Sequence, residues 1–587
     1  MMQIEDFNNP QVQKLPNHLK QYIVAQNYEH YTPIDQAVWR YVMRQNYSYL
    51  KDVAYYPYIK GLKRAGLSIE YIPDLQTMNN HLAEIGWGAV TVDGFIPPVA
   101  FMEFQAYQVL VIAADIRQIE HIAYTPAPDI IHESAGHAPI IADEAYNKYL
   151  SYFGSIGAKA MFSSKDYDLY EAIRKLSILK EEKNAHPADI KKAEKMVLFC
   201  QENLGDPSEM ALLSRLHWYT VEYGLIGTLE NPKIYGAGLL SSIGESVTCM
   251  QSDVKKLPYS LDTINYSYDI TQAQPQLFVT PNFEKLIEVL EAFADTMSFR
   301  KGGAESVLKA IESKKPCTAV YSSGLQVTGV FTDIGMSKTD EVQFIKTTGP
   351  SALSHNHKEI KNHGKDYHKD GFSSPVGKLL NETKNIEDFN DEDLAAHQMN
   401  IDAICTLNFE SGIIVSGVIK GILKVDDKIL LISFTDCTVT AGKQTLFKPE
   451  WGVYDMAVGA KITSVFCGAA DKEAYVELAH ISTEKTTAPV YDDKTQKLHQ
   501  LYQKTRDIRT NENEIELCAE IFEMLRTKHR EDWLCALELL EILQPIKAQN
   551  LLAKEIKIYL SMKALNEPDL TKLINDGVKL IYNPISQ

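Results

Sequence analysis

Residues 128–140 read PDIIHESAGHAPI, and the chemistry of the chain turns on this stretch. His132 and His137 stand five positions apart, with Glu133 directly after the first. The zinc-protease signature H-E-x-x-H works because positions i and i+4 lie about 40° apart around a helix, so both imidazoles reach one ion. A spacing of five opens that angle to about 140° on a regular α-helix. The protease reading therefore fails on geometry. The two histidines can share a metal where the helix ends or distorts between them, and Gly136 followed by Pro139 supplies such a break.

Two histidines need a third ligand. Downstream, LHWYTVEYGL (216–225) sets Glu222 among Trp218, Tyr219, Val221, Tyr223 and Leu225. A carboxylate buried there without a partner would cost several kcal/mol, and a cation held by His132 and His137 is a fitting partner. Two neutral imidazoles and one carboxylate with open positions are the ligand set of non-haem Fe(II) oxygen chemistry. Composition and spacing alone leave the plain alternative standing, that these residues are structural or face solvent. A zinc metallohydrolase is the rival from another enzyme class.

The bulk properties narrow the classes. A chain of 587 residues is long enough for roughly two to four domains. Hydrophobic residues make up 45% and charged residues 23%, the balance of an ordinary globular protein. A net charge of -18, from 59 Lys+Arg against 77 Asp+Glu, argues against nucleic acid as a partner. No apolar run is long enough to cross a membrane. The N-terminal MMQIEDFNNPQVQKL has neither the basic nor the apolar part of a secretory signal. Eight cysteines are scattered singly, which suits a reducing compartment and a cytoplasmic location.

Three textures follow one another. Up to about residue 305 helical periodicity prevails, as in DQAVWRYVMRQNYSYL (35–50), TMNNHLAEIGW (77–87) and FEKLIEVLEAFADTM (283–297). Residues 165–205 predict two charged helices joined near Asn184–Pro187. From about 306 to 485 the chain is β-rich, interrupted by a polar stretch at 350–400, and ILKVDDKILLISF (422–434) reads as a hairpin turning at Asp426-Asp427. From 486 to 587 the helical period returns, with two amphipathic helices meeting near His529–Asp532. Within the polar stretch, SALSHNHKEIKNHGKDYH (351–368) holds four histidines. Irregular spacing among lysines and acids predicts a solvated loop with no metal.

TPAPDIIHESAGHAPI (125–140) resembles the iron-binding segment of the tetrahydropterin-dependent aromatic amino acid hydroxylases. HWYTVEYGL (217–225), KIYGAGLLSSIGE (233–245) and IPDLQTMNNHLAEIGWGAVTVDGFIPPVAF (72–101) are similar to three further family blocks, in the family's order. The resemblance implies a mainly α-helical catalytic domain over residues 1–305, with a helical insertion at about 165–205. A β-rich module and a C-terminal α-helical segment follow. It also implies that Fe(II) is held by His132, His137 and Glu222. Glu133 would stand near the pterin and the metal. Phe101 would stack on the pterin ring, and the loop containing Val92, Gly94, Phe95 and Ile96 would read its edge. Arg117 would clamp the substrate carboxylate, held by Asp129 and helped by Thr125, with Pro128 and Trp218 lining the ring pocket. Ser241 and Tyr235 would support the ligands from behind.

The implied activity is hydroxylation of an aromatic amino acid by O₂ with a tetrahydropterin. L-phenylalanine to L-tyrosine is the leading case, and tryptophan or tyrosine is the alternative. Ser134 and Ala135 stand where better-known members have leucine, Tyr223 where phenylalanine is expected, and Val111 where animal members have histidine. Substrate choice is where these departures bear. Long bacterial members carry an extension like residues 306–587, a candidate surface for homo-oligomers.

Overall fold

A computed structural model describes residues 8–55, 58–92, 96–123, 128–181, 186–268, 273–476, 491–511 and 514–582. The first region is organised on the helix Pro33–Val53. Thr32 accepts the N–H of Asp35 while the Asp35 carboxylate accepts the N–H of Thr32, so two otherwise unpaired donors satisfy each other. Pro33 occupies the first turn, where its missing N–H costs nothing. The helix buries Val38, Trp39, Val42 and Met43 in the main core, alongside the helices Leu75–Ala83, Pro98–Ala106, Glu144–Gly157 and Phe283–Ala294.

Two small sheets complete this region. Gly88–Val92 pairs in parallel with Val109–Ala113, Gly88 opposite Val109, and every residue of both strands is buried, as continuous apolar runs require. A four-stranded sheet runs in the order Pro232–Ile234, Leu225–Gly227, Gln276–Thr280, Lys255–Pro258. The expected insertion is a pair of packed helices, Ser164–Glu181 and Pro187–Glu202.

Between 316 and 467 the chain forms two antiparallel sheets. The first runs Lys358–Glu359, Val342–His355, Leu325–Met336, Pro316–Tyr321, Ile462–Cys467, with Ser373–Pro375 also on Val342–His355. The second runs Ile404–Asn408, Ile413–Val425, Lys428–Ala441, Gln444–Phe447, with Tyr454–Ala457 also on Lys428–Ala441. The hairpin turns at Asp426 and Asp427, whose φ values of 49° and 63° suit the left-handed turn that matches strand twist. Position 305 falls inside the helix Gly303–Ser313, whose Ala304, Val307 and Ala310 enter the core of the first of these sheets. The stretch 351–368 departs from the solvated loop expected of it: residues 351–355 end a strand, and His368 is buried.

The last helices, Asp493–Thr510, Leu517–Lys528, Leu534–Leu543, Asn550–Asn566 and Pro568–Tyr582, share one core with Pro33–Val53. The break between the second and third spans His529–Trp533, close to the expected junction. Tyr41 meets Trp533 edge-to-face at 5.2 Å, and its hydroxyl donates to the Leu573 carbonyl at 2.7 Å. Beside them the buried Arg40 donates to both oxygens of Glu541 (2.5 and 2.8 Å) and to Glu70 (2.5 Å), with Glu538 3.7 Å away. Arg44 and Arg509 complete the ring of charges.

Removing one member of such a buried network leaves the others uncompensated. Arg40→Met is therefore expected to destabilise the chain by roughly 3–5 kcal/mol, read as an earlier denaturant midpoint in circular dichroism. An unchanged midpoint would show that this contact does not hold the two ends together.

Candidate active site

His132 and His137 lie on one π-helical turn, Ile131–His137, in which N–H groups bond five residues back. A five-residue spacing on that turn puts both imidazoles on one face. The distortion that the spacing demands is thus a widening of the helix, which continues directly into Ala138–Ile141. Gly136 serves it by closeness to a neighbouring segment: a Cβ there would lie 2.6 Å from the Ala237 carbonyl oxygen. Glu222 ends a second π-helical turn, Trp218–Glu222. Gly236 lets the chain pass close behind it, since a Cβ at that position would meet the Glu222 carbonyl at 2.5 Å.

The three side chains converge. Glu222 places one carboxylate oxygen 3.3 Å from His132 Nε2 and the other 3.5 Å from His137 Nε2. All three ligand atoms lie within 4.8 Å of one another. His132 Nδ1 faces the Ser241 hydroxyl at 3.0 Å, and that hydroxyl donates to the Ala237 carbonyl at 2.8 Å. Ser241 must then accept from Nδ1–H, which leaves the Nε2 lone pair free for a metal. Burial opposes charge on His132, but the Glu222 carboxylate outweighs it and pushes the imidazole up to about 9. Burial carries His137 down to about 3. Burial works against ionised Glu222 too, yet the histidines hold it well below the usual carboxylate range.

Glu133 lies in the same cluster, its Oε2 3.7 Å from His137 Nε2 and without a hydrogen-bond partner among the described residues. Burial, then Glu222 and Asp129, raise its carboxyl to about 8, with His132 opposing. Two carboxylates beside two imidazoles, one oxygen orphaned, make a donor set that a dication fits.

Arg117 and Asp129 are buried and paired. One Asp129 oxygen accepts from Arg117 N at 3.0 Å and Nε at 2.7 Å, and the other accepts from Nη2 at 2.9 Å. That second oxygen also accepts the His132 backbone N–H at 3.0 Å. The guanidinium is therefore tied to the histidine turn through a single carboxylate. Trp218 is clasped between Tyr223 and Tyr268, stacked at 4.7 and 4.5 Å, so both ring faces are taken and its edge remains. Pro128 is exposed. Tyr235 backs Gly224, where a Cβ would strike its ring at 2.2 Å.

Phe101 lies on the helix Pro98–Ala106 and Ile96 just before it. Val92 ends its strand with its carbonyl accepting from Ala114 N. Gly94, Phe95 and Thr125 lie outside the described residues. One participant was missed from sequence. His217 stands edge-on to Phe101 at 5.9 Å, with Nδ1 3.8 Å from Glu222. It precedes Glu222 by five positions, the same spacing that singled out His132 and His137.

The family described as biopterin-dependent aromatic amino acid hydroxylase matches residues 15–186 and 197–301. The gap between the two segments falls within the helix Pro187–Glu202. The phenylalanine-4-hydroxylase of Pseudomonas aeruginosa is 27% identical over 277 residues, 46% of this chain and 88% of that protein. The phenylalanine-4-hydroxylase of Chromobacterium violaceum is 28% identical over 270 residues, 46% of this chain and 76% of that protein. The iron- and phenylalanine-bound crystal structure of the Chromobacterium violaceum enzyme shares 25% identity, covering 47% of this chain and 87% of that chain with a TM-score of 0.36.

Ser241→Ala removes the acceptor that orients His132. Iron affinity is expected to fall about 10–100-fold, measured by competition with a chromophoric chelator. An affinity unchanged from the parent chain would show that Ser241 does not set the ring.

Proposed function

We propose that this chain, whose residues 15–301 belong to the biopterin-dependent aromatic amino acid hydroxylases, converts L-phenylalanine to L-tyrosine. The observation that carries the reading is the convergence of His132, His137 and Glu222 in a buried site beside the Arg117–Asp129 pair. Iron and a tetrahydropterin, when bound, supply the activation of O₂. His132, His137 and Glu222 would hold the metal, a ligand set that leaves positions for the reactants. Phe101 would offer its ring to the pterin, and the resemblance assigns its edge to the loop of Val92, Gly94, Phe95 and Ile96. Glu133 turns its unpartnered oxygen toward the same space.

Arg117 takes the substrate carboxylate. Because Asp129 fixes both the guanidinium and the His132 backbone, the carboxylate anchor keeps one spacing to the histidine turn, which would orient the substrate ring. The resemblance assigns Thr125 a hydroxyl contact at the amino-acid end, and Pro128 and the edge of Trp218 would border the aromatic ring. The stacked Tyr223, Trp218 and Tyr268 keep water from that side.

Tyr223, stacked on Trp218, favours a second reading in which tryptophan or tyrosine is the substrate. We assign the chain three parts in one cytoplasmic protein: the catalytic domain, the β-rich module and the C-terminal helices. The helix Asn550–Asn566, with Leu551, Ile558, Met562 and Leu565 exposed, is the candidate surface for self-association.

Purified chain with Fe(II), tetrahydropterin and O₂ is expected to form tyrosine from phenylalanine, with Glu222→Ala reduced to background. Formation of hydroxytryptophan or dihydroxyphenylalanine instead would select the second reading. No turnover of all three amino acids would sink both. Arg117→Lys gives up a bidentate contact that is worth about 1.5–3 kcal/mol, so the KM for phenylalanine should rise about 10–100-fold. An unchanged KM would remove Arg117 from the substrate site.

A further inference from the structure

The histidine-bearing stretch 351–368 does not hang in solvent. After the strand Val342–His355 the chain turns at Asn356 and His357, both at positive φ (49° and 61°), and pairs back through Lys358–Glu359. Two further turns fasten it to the strand it left. Leu353 N donates to the His363 carbonyl at 2.9 Å, and Ser351 N donates to the His368 carbonyl at 3.0 Å. His363 and His368 repeat the five-residue spacing of the first site, and His363 Nδ1 is 3.2 Å from His368 Nε2.

The third member comes from the other sheet. Asp455, on the strand Tyr454–Ala457, places Oδ2 3.9 Å from His363 Nδ1, and the ligand atoms of all three residues lie within 4.8 Å of one another. Its other oxygen accepts from Ser433, its partner across the strand pair, and Tyr367 shares a hydrogen bond with the carboxylate. Asp455 is 4% exposed. Among the described residues no lysine or arginine lies within ion-pair distance of it, so the two imidazoles are the groups beside it that could balance its charge. A tetrahedral ion with bonds of about 2.0–2.2 Å sets its ligand atoms roughly 3.3–3.6 Å apart, and the separations here bracket that range. Nitrogen donors point away from calcium and magnesium, which take oxygen, and toward first-row divalent ions such as zinc.

We propose that His363, His368 and Asp455 form a second metal site, for a divalent ion of the zinc class, which fastens the two sheets of the β-rich module to each other. Ser433 holds the carboxylate in its binding orientation, as partners of metal ligands commonly do. The ion has three protein ligands and a fourth position for water beside His363, whose side chain keeps 17% of its exposure. The site is independent of the iron site and of the reaction assigned to it.

The test uses the full chain without a histidine tag, carrying Glu222→Ala so that the first site is silenced, and stripped with a chelator. Titration with Zn(II) is expected to show one tight equivalent and a higher unfolding temperature, and Co(II) should give the visible bands of a low-symmetry nitrogen–oxygen site. Adding His368→Gln or Asp455→Asn should weaken Zn(II) binding at least 100-fold and abolish the thermal shift, with circular dichroism confirming that these variants remain folded. Failure of the Glu222→Ala chain to bind either ion at micromolar concentration would overturn the proposal, as would binding that survives both further substitutions. If those variants unfold, the titration and the thermal shift of the Glu222→Ala chain decide.

Discussion

Glu222 brings a carboxylate into an interior of aromatic side chains, and the arrangement around it follows from the need to compensate that charge. Two imidazoles must reach it from one helix face, and a regular α-helix cannot present residues five apart in that way. The backbone widens to π at both places where the site is built, Ile131–His137 and Trp218–Glu222. Small residues then let neighbouring segments close in. Gly136 sits against Ala237 and Gly236 against Glu222, and the same short segment delivers Ser241 to His132. Substrate anchoring hangs from this frame as well, since Asp129 serves Arg117 and the histidine turn together.

Much of this was legible from residue types. The helical period of 35–50 announced the long helix, Asp426-Asp427 announced the hairpin, and the five-residue spacing ruled out a protease. What stayed hidden depends on contacts between distant segments. Spacing showed that the helix had to distort between His132 and His137, while the form of the distortion depends on Ala237 lying against Gly136. The edge-only presentation of Trp218 required Tyr268, 50 positions away, to land on its second face. The histidines of 351–368 looked solvated because their partner, Asp455, lies on a strand of the other sheet. Polar composition describes a segment and cannot reveal a charge that folds against it.

The β-rich module and the terminal helices are both fastened to the first region by apolar and ionic contacts. On the module side Met161 enters the apolar core of the first sheet, while Lys472 donates to Glu103 at 2.7 Å and His18 faces Glu473 at 3.2 Å. On the helical side the contact is a continued hydrophobic core with an ion network at its rim.

The bond between Arg40 and Glu541 joins positions 501 apart in the chain. At about 5–20 residues added per second, synthesis separates the two partners by roughly 25–100 s. Through that interval the long helix must wait at the ribosome with Arg40 and Tyr41 uncovered, although its own neighbours are already made. The region bearing the candidate site thus emerges well before its packing can be finished. A nascent chain of this protein presents a sticky, charged groove until its own tail arrives to fill it.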